Sequence, residues 1–303
     1  MIGRQFVKQY ASQYDVPEDI ADREIVLTYV LELLTERGHW DRIAFKGGTA
    51  LRKLLFGLGG RFSLDLDLVA LDNRSPPPED DLFNDLRKVS FNGIDLRISD
   101  FEYTGPNTFR AQLAYRHAHG GQSIDIELSH RQDVVIRPVA RFLVSQPYFK
   151  RLEFQPSPVV SLHPVEMFAE KVLACHRAAS TRGSARHIYD LYQFTEKKFE
   201  NALLTSLTCL KAWTDGVDFS PSAFLEGVNP SGYNWAALEG LLAREKTRDK
   251  AGICERVRER YNVLAKLGPL DERVLVDTRL HRDKDGYDRL AKEVRAKAAA
   301  LPD

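Results

Sequence analysis

Apolar and polar positions follow two different periods along this chain, and the change of period divides it. From Val16 to Arg37, the residues Ile25, Val26, Tyr29, Val30, Leu33 and Leu34 recur at i, i+1, i+4 and i+5. That spacing lays one buried stripe along a helix. Pro17 suits its first turn, Asp15 or Asp19 favours its positive end, and Gly38 is the expected stop. A short apolar run, Ile43-Ala44-Phe45, leads through Lys46-Gly47-Gly48-Thr49 into a helix-like stretch, Ala50 to Leu58, which Gly59-Gly60 ends. Residues 61–69 then alternate strictly, with Phe62, Leu64, Leu66 and Leu68 on one side and Ser63, Asp65 and Asp67 on the other. Such alternation predicts a half-buried strand with a polar face.

The proline-rich, acidic stretch 71–80 reads as a surface loop and Asp81 to Val89 as a short helix. Three strand-like runs follow, Asp95 to Tyr103, Phe109 to Arg116 and Ser123 to Leu128, the last again alternating, with Asp125 and Glu127 on its polar side. After an extended stretch to about Leu162 the pattern turns helical. Pro164 opens a helix to about Ala179, Ser184 to Phe194 forms another, and helices beyond Glu200 are broken at Pro221, Pro230-Ser231-Gly232, Gly252 and Gly268-Pro269. The expected architecture is α+β: an α+β domain over residues 1–160 and a helical domain over 161–303.

Composition adds exclusions. Lys plus Arg and Asp plus Glu are both 43, so the formal net charge is zero and no blanket affinity for nucleic acid or anionic membrane is expected. Local excesses exist: Arg131, Arg137, Arg141, Lys150 and Arg151 stand against Asp133 alone, and residues 244–260 hold seven Lys or Arg against four acids. Both could contact a phosphate backbone, with Tyr192, Tyr233 or Trp235 stacking a terminal base, or be solvated faces and aromatic core. No apolar run approaches the roughly 18 residues of a membrane span. The N-terminal stretch does not read as a signal peptide. Cys175, Cys209 and Cys254 lie far apart, which fits buried thiols in a reducing, cytoplasmic setting rather than disulfides or a zinc site.

The chemistry concentrates on a few positions. Two carboxylates at i and i+2 on a strand lie about 6.6 Å apart on one face and repel unless a cation attends them. Mg²⁺ suits them, because it takes carboxylate oxygens together with substrate phosphates and waters. A third acid from a neighbouring strand is then expected, Asp125 first and Glu127 second. Gly47-Gly48-Thr49 permits a tight turn and close approach to a phosphate. Lys171, with Glu166 and Glu170 on the same helix, and Asp190 on the next, form either a structural ion pair or a cationic triphosphate contact with its positioning acid.

FKGGTAL, RFSLDLDLV, EMFAEKVLA and RHIYDLYQF occur in that order between Ile43 and Phe194. This set resembles the AbiEii/AbiGii-type nucleotidyltransferase toxins, including the MenT group. The resemblance implies a DNA-polymerase-β-like nucleotidyltransferase fold with a mixed sheet, followed by a helical domain that contributes Lys171 and Asp190. Carried over, Asp65 and Asp67 hold Mg²⁺, the pattern leaving the third acid to Asp125 or Glu127; the nucleotide is bound by Lys46, Gly48, Thr49, Ser63 and Lys171, and Asp65, Asp67, Lys171 and Asp190 are catalytic. It further implies transfer of nucleotides from NTP to the 3′ end of tRNA, blocking aminoacylation, and a cognate antitoxin as partner. Many relatives carry Arg-Asp before Tyr-Asp-Leu, where this chain has Arg186-His187. The alternatives are transfer to a protein hydroxyl or a small molecule, or a nucleotide- or RNA-binding protein without catalysis. A phosphate on Ser63 would add about −1.5 to −2 charges beside the two carboxylates.

Overall fold

The alternating segments pair into one eight-stranded mixed sheet. The computed structural model describes residues 2–72, 74–104, 107–130, 134–242 and 249–301. They fall into two compact units: Met1–Val134 with Pro138–Ser161 and Gly240–Glu245, and Val135–Arg137 with Leu162–Glu239 and Lys246–Asp303.

In chain order the first unit holds helices α1 (Arg4–Tyr14) and α2 (Glu18–Glu36), strand β1 (Ile43–Lys46), helix α3 (Gly47–Leu51), strand β2 (Leu66–Ala70) and helix α4 (Pro78–Leu86). Strands β3 (Val89–Phe91), β4 (Ile94–Tyr103), β5 (Thr108–His117), β6 (Gly120–Ser129) and β7 (Val139–Arg141), helix α5 (Pro147–Arg151) and strand β8 (Val159–Ser161) complete it. The sheet order is β3-β4-β5-β6-β2-β1-β8-β7. Strand β2 runs parallel to β6 and β1 parallel to β8, while the other neighbours are antiparallel. Leu66 and Leu68 of β2, Ile124, Ile126 and Leu128 of β6, and Phe109, Ala111 and Leu113 of β5 are all buried on the apolar side. Helix α2 lies against β6 and α4 against β4.

Several boundaries differ from the sequence pattern for local reasons. The strand expected over 61–69 starts only at Leu66. Its pairing with β1 ends at Lys46↔Asp67, where β1 turns into α3, so residues 61–65 have no strand on that side. Their backbone is satisfied elsewhere: the Phe62 amide donates to the Leu241 carbonyl at 2.7 Å. The helix expected over 50–58 begins earlier, at Gly47, and continues as a π-helical turn, Arg52–Phe56, and a 3-10 turn, Gly57–Gly59. Helix α1, which the pattern did not announce, buries Phe6, Val7, Tyr10 and Ala11. Helix α4 starts at Pro78, which a first turn tolerates, with Glu79, Asp80 and Asp81 at its positive end.

Helix α2 is buried on more than one stripe, and its inner side carries Glu24. That carboxylate is fully buried and meets Lys53 Nζ at 3.0 Å and Arg52 Nε at 3.3 Å. Lys53 also donates to the Thr28 hydroxyl at 2.9 Å and the Tyr148 hydroxyl at 3.0 Å. Burial pushes the Lys53 ammonium down to about 8. Burial also pushes the Glu24 carboxyl up, but Lys53 and Arg52 outweigh it and leave the group below the usual carboxylate range.

The second unit is helical: α6 (Pro164–Thr181), α7 (Arg186–Phe194), α8 (Asn201–Thr214), α9 (Pro221–Gly227), α10 (Lys250–Tyr261), α11 (Pro269–Val276) and α12 (Lys284–Ala298). Pro164 opens a helix as expected, and at the expected breaks Pro221 and Pro269 each stand first in a new helix. Gly252 does not break one. It sits in the first turn of α10, where its amide donates to the capping carboxylate of Asp249 at 2.7 Å. Among the described residues no helix is long and apolar enough to cross a membrane.

Candidate active site

The turn after β1 is built by close approach of backbone and side chains. Gly47 has φ +80°, a left-handed conformation that glycine adopts without strain. A Cβ on Gly47 would stand 1.8 Å from Oδ2 of Asp67. One on Gly48 would stand 2.3 Å from Nη2 of Arg61 and 2.8 Å from Oγ of Ser63. The two glycines therefore lie directly beneath Asp67, Arg61 and Ser63. The register Lys46↔Asp67 puts Lys46 at the same level. Thr49 is fully buried, and its hydroxyl donates to the Asp65 carbonyl at 2.5 Å. The hydroxyl expected to meet a phosphate thus ties the glycine turn to the backbone of Asp65.

Strand register then extends the polar face in two ranks. Asp67 is paired with Glu127, Glu127 with Arg110, and Arg110 with Glu102. In the next rank Asp125 is paired with Gln112 and Gln112 with Asp100. Asp65 stands immediately before the first paired residue of β2, whose partner Ile126 follows Asp125. Asp65, Asp67, Asp125 and Glu127, with Asp100, Glu102, Gln112 and Arg110, line a cavity of about 380 Å³. Six carboxylates therefore face one guanidinium among its described lining residues. Arg110 reaches Glu127 Oε2 through Nε and Nη2, both at 3.0 Å.

This arrangement brings together four acids expected from the sequence and separates their surroundings. Glu127 is engaged by Arg110, whereas Asp125 is exposed on the same wall. Among the described residues no group of three or more His, Cys, Asp or Glu side chains forms a ready-made metal cage. The donor chemistry nonetheless suits a hard divalent cation: Asp65, Asp67 and Asp125 offer only carboxylate oxygens to a shared cavity. Mg²⁺ ordinarily takes one or two carboxylates and completes its shell with waters and substrate phosphates.

In the helical unit, Lys171 Nζ lies 3.4 Å from Asp190 Oδ2, with both side chains largely buried. Helix α6 turns Glu166 away from this pair. Its carboxylate accepts the Val135 and Ile136 amides, each at 2.9 Å, and meets Lys211 Nζ at 2.7 Å. Burial pushes the Glu166 carboxyl up despite these partners. Glu166 is thus a clamp on the segment around residue 135, and Lys211, which no motif marked, is its counter-ion.

Of the three aromatics weighed between stacking and core, two belong to the core. Tyr233 is buried with its hydroxyl 3.1 Å from Cys175 Sγ, and Trp235 donates its ring N–H to the Pro230 carbonyl at 2.8 Å. Tyr192 instead has the Arg256 guanidinium 5.8 Å from its ring centroid. Of the basic segments, Arg131, Asp133 and residues 244–248 lie outside the described residues. His117 is buried against Asp22 at 2.9 Å. All three cysteines are free and buried, and burial pushes the Cys175 thiol up to about 12.

A family model described as the nucleotidyl transferase AbiEii toxin of type IV toxin–antitoxin systems matches residues 30–259. Among solved structures, MenT4, a nucleotidyltransferase toxin from Mycobacterium tuberculosis H37Rv, is similar with TM-score 0.81 and 23% identity, covering 97% of this chain and 100% of that one. JHP933 from Helicobacter pylori is similar with TM-score 0.50 and 19% identity, covering 83% of this chain and 94% of that one. At these identities the likeness is one of fold, here a mixed sheet with many helices. No curated protein matches the chain.

Proposed function

Because the chain belongs to the AbiEii family of nucleotidyltransferase toxins of type IV toxin–antitoxin systems, we propose that it is a Mg²⁺-dependent enzyme transferring a nucleotide from NTP to the 3′ end of tRNA. Blocked aminoacylation and arrested growth are the consequence, and a cognate antitoxin is the restraining partner. The three free, buried thiols suit action in the cytoplasm. The observation that carries the reading is the seating of Asp67 over Gly47, with Asp65 and Asp125 lining the same cavity.

In the reaction, the RNA 3′-hydroxyl attacks the α-phosphorus of the NTP, the bond to the β-phosphate oxygen breaks and pyrophosphate leaves; the hydroxyl proton passes to solvent. Asp65, Asp67 and Asp125 would hold Mg²⁺, which would supply positive charge to offset that of the reacting phosphates. Arg61 and Ser63, drawn against Gly48, are assigned to the triphosphate, with Lys46 at the same level. Thr49 acts at one remove by fixing the Asp65 backbone. Residues 1–160 are assigned the transferase chemistry and the helical part from 161 to 303 is assigned Lys171, a point charge for the triphosphate, and Asp190, which orients it.

The test is incubation of the pure protein with Mg²⁺, each α-labelled NTP in turn and total tRNA, followed by a denaturing gel. Label on the RNA band, lost with Asp65→Ala, is the expected result, and it names the nucleotide. Label on protein would move the acceptor to a protein hydroxyl. No label anywhere, with NTP bound, would overturn transfer and leave a binding protein.

A further inference from the structure

Across the sheet the polar side chains stand in a fixed order, and in-line displacement gives that order a direction. Strand β1 leads into the Gly47-Gly48 turn, where the foregoing reading, on which this inference rests, puts the triphosphate. Strand β2 follows with Asp67, then β6 with Asp125 and Glu127, then β5 with Arg110 and Gln112. Attacking and leaving oxygens lie on opposite sides of the phosphorus undergoing transfer. With pyrophosphate departing on the β1 side, the attacking hydroxyl arrives from the β6–β5 side. That side of the cavity presents carboxylates and, among its described lining residues, one cation, Arg110.

We propose that Arg110 is the acceptor-side positioning residue, binding the phosphodiester on the 5′ side of the RNA's terminal nucleoside and so aligning its 3′-hydroxyl. Two strand spacings, about 10 Å, separate β5 from β2, which leaves room for one nucleoside between the guanidinium and the Asp67 carboxylate. Glu127 takes the Nε and Nη2 edge of Arg110 and sets the plane of the fork. The side chains of this pair remain 55% and 38% exposed, so the ion pair contributes little to stability. A guanidinium carries five N–H donors and matches phosphate geometry, so engagement by Glu127 leaves donors for an anion. Glu127 is on this view the holder of Arg110, and Asp125 the third carboxylate of the reacting centre.

The experiment measures binding and turnover separately. A 5′-fluorescein single-stranded RNA ending in CCA and a non-hydrolysable α,β-methylene NTP are titrated, with Mg²⁺, against the wild type, Arg110→Gln and Arg110→Lys. Arg110→Gln should weaken RNA binding roughly tenfold. It should also flatten the dependence of log affinity on log salt by about 0.7, the loss of one phosphate contact to a single strand. Affinity for the NTP analogue should not change, Arg110→Lys should recover most of the RNA affinity, and in turnover the acceptor KM should rise while the NTP KM stays. Unchanged RNA affinity and salt slope, or a loss confined to the nucleotide, would overturn the assignment. If the wild type labels tRNA and Arg110→Gln labels it with the same acceptor KM, this inference alone falls. If the wild type neither binds nor labels RNA, the tRNA reading falls and takes this one with it.

Discussion

Asp67 occupies the space that a side chain on Gly47 would fill: a Cβ there would stand 1.8 Å from Oδ2 and 2.7 Å from the Asp67 Cβ. The carboxylate and the turn are therefore one construction, in which the missing side chain at residue 47 permits the acid at residue 67 to sit where it does. Gly47 must also hold φ +80°, so two independent reasons exclude any other residue.

The two reasons can be separated. Gly38 has φ +73° but nothing within 4 Å of its absent Cβ. Gly38→Ala and Gly47→Ala should each lose about 1–2 kcal/mol through the left-handed backbone. Only Gly47→Ala should also displace Asp67 and lower nucleotidyl transfer by two orders of magnitude or more. Thermal melts paired with the labelling assay check this; equal activity in the two variants would refute the coupling of Gly47 to Asp67.

Thr49→Val keeps the shape of the side chain and removes its donor to the Asp65 carbonyl. A half-buried carbonyl left without its partner costs about 1 kcal/mol, toward the low end for a lost hydrogen bond. Both stability and kcat should fall, while the KM for NTP stays near that of the wild type, because the hydroxyl points to the backbone of Asp65. Thr49→Ser should restore stability and rate. A Thr49→Val enzyme with normal kcat and a raised NTP KM would return the hydroxyl to the phosphate.

Acid sensitivity follows from Glu24. Its folded carboxyl is held below its ordinary value by Lys53 and Arg52 against the cost of burial. A depressed acid stabilises the fold above its unfolded pKa, and that contribution is lost as pH falls toward the lower folded value. The midpoint of thermal unfolding should therefore drop on acidification through and below the usual carboxylate range. Glu24→Gln should lose roughly 3–5 kcal/mol at neutral pH by breaking a buried ion cluster. It should also show a flatter acid limb. An acid limb of unchanged slope in Glu24→Gln would place the sensitive group elsewhere.

Ser63 is buried beside the glycine turn, its Oγ 2.8 Å from where a Cβ on Gly48 would lie. A negative charge at this position competes with phosphate and adds to the carboxylates of Asp65 and Asp67. Ser63→Asp should abolish transfer, whereas Ser63→Ala, which only removes a hydroxyl, should retain a fraction of it. Full activity in Ser63→Asp would rule out Ser63 as a nucleotide contact.

Chain-local rules carried part of this site. A strand's period of two puts Asp125 and Glu127 on the same side whatever the strand pairs with, and Pro164, with the apolar spacing behind it, starts a helix without outside help. Those rules also located the runs that became β4, β5 and β6, and they placed Lys171 and Asp190 on successive helices whose side chains lie 3.4 Å apart. What they cannot supply is register. Nothing near Arg110 in the chain says that it stands opposite Glu127, two strands from Asp67, because that alignment is set by the apolar faces of β5, β6 and β2 packing at once. The same holds for Thr49 turning inward to Asp65 and for Glu166 clamping residues 135 and 136. Each is a choice among contacts distant in sequence, settled by which buried polar group would otherwise lack a partner.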